Sequence, residues 1–133
     1  MILLDTHVLM WSAENDPRLG RLARVSLQDG EANAELAVSA ITFWEIAQLA
    51  QRGRIQILES ASAWRRRLLA SRLIELPLDG AVAIASVELG GLHKDPADRF
   101  IAATALAHDA TLVTADEKLL AWQAPVVRID ARR

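Results

Sequence analysis

The 133-residue sequence contains no cysteine, which excludes disulfides, thiolate metal sites and cysteine nucleophiles. That composition fits a reducing compartment, and the expected location is the cytoplasm. No apolar run reaches the roughly 18 residues of a membrane span. The opening stretch MILLDTHVLMW has no basic n-region and meets Asp5 at once, so neither a signal peptide nor a membrane partner is expected. Neither sign of charge dominates: 15 Lys and Arg oppose 17 Asp and Glu, for a net charge of −2. A global attraction to nucleic acid is therefore not indicated. Any such contact would rest on local groups such as Arg65, Arg66 and Arg67, a run that reads equally well as a solvated helix face. There is also no internal repeat, no low-complexity tract and no linker long enough to separate a pair of domains. One domain over 1–133 is the expectation, long enough to bury about two-thirds of the unfolded chain's surface.

What is present is an ordinary globular mixture, 52% hydrophobic and 24% charged. Ile2 to Leu4 form a short apolar run that stops at a charge, as a buried parallel strand does. Leu36 to Ser39, Leu73 to Leu76 and Thr111 to Thr114 repeat the signal, and Val126 to Ile129 offers a fifth. Helical spacing falls between these runs. Arg18 to Leu27 places Leu19, Leu22 and Ala23 on one face; Ile41 to Gln51 does so with Ile41, Trp44, Ile46 and Leu49. Ala61 to Ala70, Ala81 to Leu89 and the Ala-rich Asp98 to His108 complete the set. Strands alternating with helices predict an α/β domain of three layers, α/β/α, around a mostly parallel sheet of four or five strands.

In such a sheet, ligands gather beyond the carboxyl ends of the strands. Asp5 follows the first strand directly, and Asp116 follows the fourth in LVTAD. Glu45 lies about a turn into the helix after the second. Asp95 and Asp98 open the Ala-rich helix. Each has a plainer explanation. An Asp after a strand commonly caps a helix by accepting backbone N–H bonds. Asp95-Pro96-Ala97-Asp98 is a good helix start, with Asp95 at the cap, Pro96 at the first position and Asp98 favourable to the helix dipole. Glu45 fits that explanation less well, because Phe43, Trp44 and Ile46 beside it are apolar and an unpaired buried charge is costly. Together the acids also repel: two unit charges about 4 Å apart cost on the order of 4 kcal/mol at an effective dielectric near 20. A divalent cation removes that cost. Mg²⁺ and Mn²⁺ prefer oxygen ligands, so a few carboxylates suffice, and such a centre supports phosphodiester hydrolysis.

Four stretches, LLDTHVLMW, VSAITFWEIAQL, HKDPADRFIAATALAHDATLVTAD and PVVRID, occur in an order that resembles the PIN-domain family, and within it the VapC-type toxin ribonucleases of toxin–antitoxin pairs. The resemblance runs over essentially the whole chain. It implies strand order near 3-2-1-4-5 and a Mg²⁺- or Mn²⁺-dependent endoribonuclease. It further implies a homodimer, an RNA substrate, and inhibition by a small VapB-like antitoxin. The family's acids fall on Asp5, Glu45, Asp98 and Asp116, as catalytic residues and metal ligands. Asp95 belongs to a DP-x-D variant and is expected to support or cap. Thr6, Ser39 and Thr114 stand beside the acids and are candidate supporting residues, with ordinary strand-end polarity as the alternative. A haloacid-dehalogenase-type phosphatase also begins with a strand ending in Asp, but it wants a second Asp where this chain has His7. The remaining rival is a PIN-like scaffold that binds partners without cutting RNA, and all four expected acids are present.

Overall fold

Strand β1, Ile2–Leu4, sets the plan of the molecule. Successive strand residues point to opposite faces, and Leu3 and Leu4 are both buried, each in a different apolar core. Ala37 and Val38 in β2 (Leu36–Ser39) divide in the same way, as do Leu112 and Val113 in β4 (Thr111–Thr114). A strand buried on both faces needs helices above and below, which is why these runs are apolar without alternation. The computed structural model describes residues 1–133. Its other elements are α1 Thr6–Ala13, α2 Arg21–Ala32, α3 Ala40–Gln51, α4 Ala61–Ala70, β3 Ile74–Leu76, α5 Gly80–Glu88, α6 Pro96–Ala107, α7 Glu117–Ala121 and β5 Arg128–Asp130.

The five strands are all parallel, in the order β3-β2-β1-β4-β5. The chain first builds outward from β1 through β2 and β3, then returns to add β4 and β5 on the other side. The order therefore reverses between β1 and β4, and that reversal opens a crevice at the strands' carboxyl ends. One core is filled by residues of α6 and α7 together with Ile41 of α3. The other takes residues from α1, α2 and α4 with Ile46 of α3. Helix α6 buries Ala97, Ala102 and Ala105 around Ile101, and its small side chains let it lie close to the sheet. Gly30 does the same for α2: a Cβ there would come within 2.7 Å of Leu36 Cδ2 and 2.9 Å of Ile2 Cδ1.

Some expectations shift. Helix α2 begins at Arg21 rather than Arg18, because Arg18 N–H and its guanidinium turn back onto Asp16. Leu22 and Trp44, placed by spacing on buried faces, are 63% and 53% exposed. Strand β5 starts two residues late, after Val127 has turned outward. Helices α1 and α7 have no counterpart in the apolar spacing. No helix is long and apolar enough to cross a membrane.

Candidate functional site

Asp5 leaves β1 at the crevice and caps α1: Thr6 N–H donates to its Oδ1 at 2.7 Å. Its second oxygen accepts the Thr114 hydroxyl at 2.6 Å, a contact made possible by the pairing of β1 with β4. The same Thr114 oxygen accepts Asp116 N–H at 3.0 Å. Asp116 then caps α7, taking the N–H groups of Lys118 and Leu119 on Oδ1. Glu45 reaches back from α3, and its Oε1 accepts the Thr6 hydroxyl, which is also 3.0 Å from the Thr42 hydroxyl. One buried threonine from each side thus holds each of the two innermost acids.

Asp95 caps α6 by accepting Asp98 N–H at 3.2 Å, with Pro96 in the first turn. Asp98 itself accepts a hydrogen bond from His93 Nε2 at 2.7 Å. Ser39 caps α3 through Ile41 N–H at 3.2 Å. Its hydroxyl is engaged there and touches none of the acids, whereas those of Thr6 and Thr114 do.

Asp5, Glu45, Asp95, Asp98 and Asp116 line one cleft of about 420 Å³, with His7, Trp11 and Arg132 at its walls. A smaller, mostly apolar crevice on the α1, α2 and α4 side holds no comparable set of ionisable groups. Burial dominates the electrostatics. It raises Asp5 above the ordinary carboxylate range, against the opposing bonds from Thr114 and Thr6. Glu45 is pushed up to about 7, first by burial and then by the charges of Asp5, Asp98 and Asp95, with the Thr6 bond opposing. Asp98 rises to about 6, again by burial first; the His93 bond opposes, and Asp5, Asp95 and Asp116 add repulsion. Acids that resist ionising in one desolvated cleft mark it as a candidate functional site.

The donor set suits a divalent cation. Ligand atoms of His93, Asp98 and Asp116 lie within 4.8 Å of one another. The carboxylates around them are the hard oxygen donors that Mg²⁺ and Mn²⁺ prefer. The spacing of the sequence singles out the four acids but not His93, which precedes Asp98 across a cap and a proline. The available signal was a histidine in the same HKDPAD turn as two acids.

Fold and site together define the class: an α/β protein with a carboxylate centre at the point where its sheet reverses. The PIN domain family model matches residues 2–122, and the chain belongs to that family. It is 36% identical over 125 residues to Ribonuclease VapC22 of Mycobacterium tuberculosis, covering 93% of each chain. Among solved structures, FitAcB from Neisseria gonorrhoeae is 28% identical with a TM-score of 0.63, covering 97% of this chain and 96% of that one. VapBC2 from Rickettsia felis, bound to a DNA fragment from its promoter, has a TM-score of 0.70 over 97% of this chain and 98% of that one. At 21% identity it attests the fold alone.

Proposed function

We propose that this chain, acting as one PIN domain over 1–133, is the endoribonuclease toxin of a toxin–antitoxin pair. A divalent cation, Mg²⁺ or Mn²⁺, would be held there by Asp5, Glu45, Asp98 and Asp116. The observation that carries the reading is the meeting of these four acids, from four different segments, in one cleft. The match to a VapC ribonuclease over nearly the full chain supports it. The chemistry supplied by a divalent cation bound there is activation of water as a nucleophile and neutralisation of charge on the phosphodiester.

The protein's own groups do the positioning. Thr114 and Thr6 fix the planes of Asp5 and Glu45, so these carboxylates are preorganised. Glu45, which keeps its proton up to about 7 in the cation-free cleft, must release it for the full negative charge to form. Without a cation these carboxylates would repel a phosphate, and a bound cation would supply the opposing charge.

The same reading assigns a homodimer in the cytoplasm, inhibited by a small antitoxin. An acidic cleft admits an Arg or Lys head group as readily as a cation, and one solved neighbour, 25% identical, is a toxin–antitoxin complex from Klebsiella pneumoniae. The test is cleavage of RNA by the purified chain with Mg²⁺, Mn²⁺ or chelator, beside Asp98→Asn. Cleavage that needs the cation and disappears in the variant is expected. Equal cleavage by the variant would remove Asp98 from the site, and no cation-dependent cleavage by the wild type on any RNA would overturn the function.

A further inference from the structure

His93 lies on the segment between α5 and α6, beside the cleft. Its Nε2 is 2.7 Å from Asp98 Oδ2, while its Nδ1 is buried with no hydrogen-bond partner. Those two facts select a tautomer. A proton on Nδ1 would leave a buried donor unpaired, and buried orphan N–H groups are rarer than under-satisfied acceptors. A proton on Nε2 gives an N–H···O bond to a carboxylate and leaves only a bare ring nitrogen.

The same pair of facts bears on whether the ring binds the cation. Distance alone would allow it, since His93, Asp98 and Asp116 offer atoms within 4.8 Å of one another. A ligating histidine, however, donates its other ring N–H to a carboxylate, carbonyl or water. Here the other nitrogen has no such partner.

We propose that His93 is a positioning residue: its Nε2–H holds Asp98 Oδ2 so that the other oxygen of Asp98 faces the cation, and the ring itself stays out of the coordination sphere. This rests on the reading of the acids as a cation centre.

Arg99 explains how the bond stays in place. Its guanidinium donates to the carbonyl oxygens of Ser86, Val87, Leu89, Leu92 and His93, at 2.7 to 3.2 Å. The end of α5 and the segment after it are thereby tied to α6, one residue past Asp98. Donor and acceptor of the His93–Asp98 bond thus belong to one cross-braced unit, which is what a preorganised ligand requires.

The experiment is Mn²⁺ binding to the purified full chain by calorimetry, for wild type, His93→Gln, His93→Leu and Asp98→Asn. Losing a hydrogen bond behind a ligand typically costs about 10- to 100-fold in affinity, and that loss is expected for H93L. H93Q places an amide N–H where Nε2–H was, so it should bind Mn²⁺ close to wild type. Long-range ¹H–¹⁵N spectra should show the His93 proton on Nε2 both without cation and with Mg²⁺. A proton on Nδ1 in the loaded protein would mean direct ligation and overturn the proposal. H93L binding like wild type, or H93Q as weak as H93L, would also overturn it. So would binding losses that simply track cation-free melting temperature across the two variants. If D98N binds Mn²⁺ like wild type, the cation centre itself is misassigned and this inference falls with it.

Discussion

Raising the pH of the cation-free protein from about 5 to about 8 should cost it stability. Glu45 titrates at about 7 in the fold against 4.5 for the free side chain, with burial the main cause. Between those values the folded chain keeps a proton that the unfolded chain has released. The folded state therefore binds more protons, so unfolding free energy falls as pH rises through this window and levels off above it. At 1.36 kcal/mol per pH unit the difference comes to about 3 kcal/mol for Glu45. Asp98, raised from 3.8 to about 6, acts in the same direction lower in the window. Its charge is one of the repulsions lifting Glu45, so the two contributions overlap rather than add. Unfolding entropy of about 2.1 cal/mol/K per residue converts 3 kcal/mol to about 10 °C for a chain of this length. Circular-dichroism melts in chelator, on wild type and Glu45→Gln across the pH series, measure it. E45Q keeps an acceptor for the Thr6 hydroxyl but cannot ionise, so its curve should be flatter and lie above wild type at about pH 8. Saturating Mg²⁺ or Mn²⁺ should lift the wild-type curve most at high pH, where no proton competes. A wild-type melting temperature that rises or stays level through the window would refute the reasoning, as would E45Q melting below wild type at about pH 8.

Asp95→Asn keeps a good cap and should leave melting nearly unchanged, with more RNA cleavage retained than in Asp98→Asn; the reverse ranking of rates would exchange the two roles. Thr114→Val deprives Asp5 of a buried donor and Asp116 N–H of its acceptor. It should cost about 1–3 kcal/mol in chemical denaturation, and an unaltered midpoint would contradict the assigned bonds. Arg99→Lys replaces a five-donor fork by a point charge, so it should lose at least about 2 kcal/mol of stability. A loss under about 0.5 kcal/mol, the level of an ordinary surface substitution, would show that the carbonyl clamp does little.

Strands β1, β2 and β4 were legible because burial on both faces writes itself as an unbroken apolar run. Helix α6 was legible because its cap, its proline and its alanine face all agree. Helix α1 was not: Thr6, Val8, Leu9 and Met10 are all buried, so its sequence THVLMWSA carries no one-sided period to detect. Helix α7 has five residues, too few to show any period. Leu22 and Trp44 were misplaced because spacing identifies a stripe on a helix but not which stripe meets the sheet. That Asp5, Glu45 and Asp116 meet at one edge of the sheet was legible because strand and helix patterns determine where each falls. The place of His93 was not, since it rides on a segment with no repeating geometry, held by Arg99 bonds to backbone carbonyls that any residues could supply.

For these aspartates, capping a helix and binding a cation are compatible roles once their oxygens are considered one by one. In this all-parallel sheet the carboxyl ends of β1, β2, β3 and β4 each lead toward a helix N-terminus, so the caps gather at the same edge as the crevice. Asp116 puts both cap bonds on Oδ1 and keeps Oδ2 for other use. Asp98 gives one oxygen to His93 and keeps the other. Asp5 uses both oxygens, yet each carboxylate oxygen has a second lone pair to offer. Capping therefore fixes the plane of a carboxylate without exhausting it, and the helix dipoles lower the cost of crowding negative charge there. Asp95 is the member whose cap matters most to its neighbour: by taking Asp98 N–H it sets where α6 begins, and so where Asp98 meets the others.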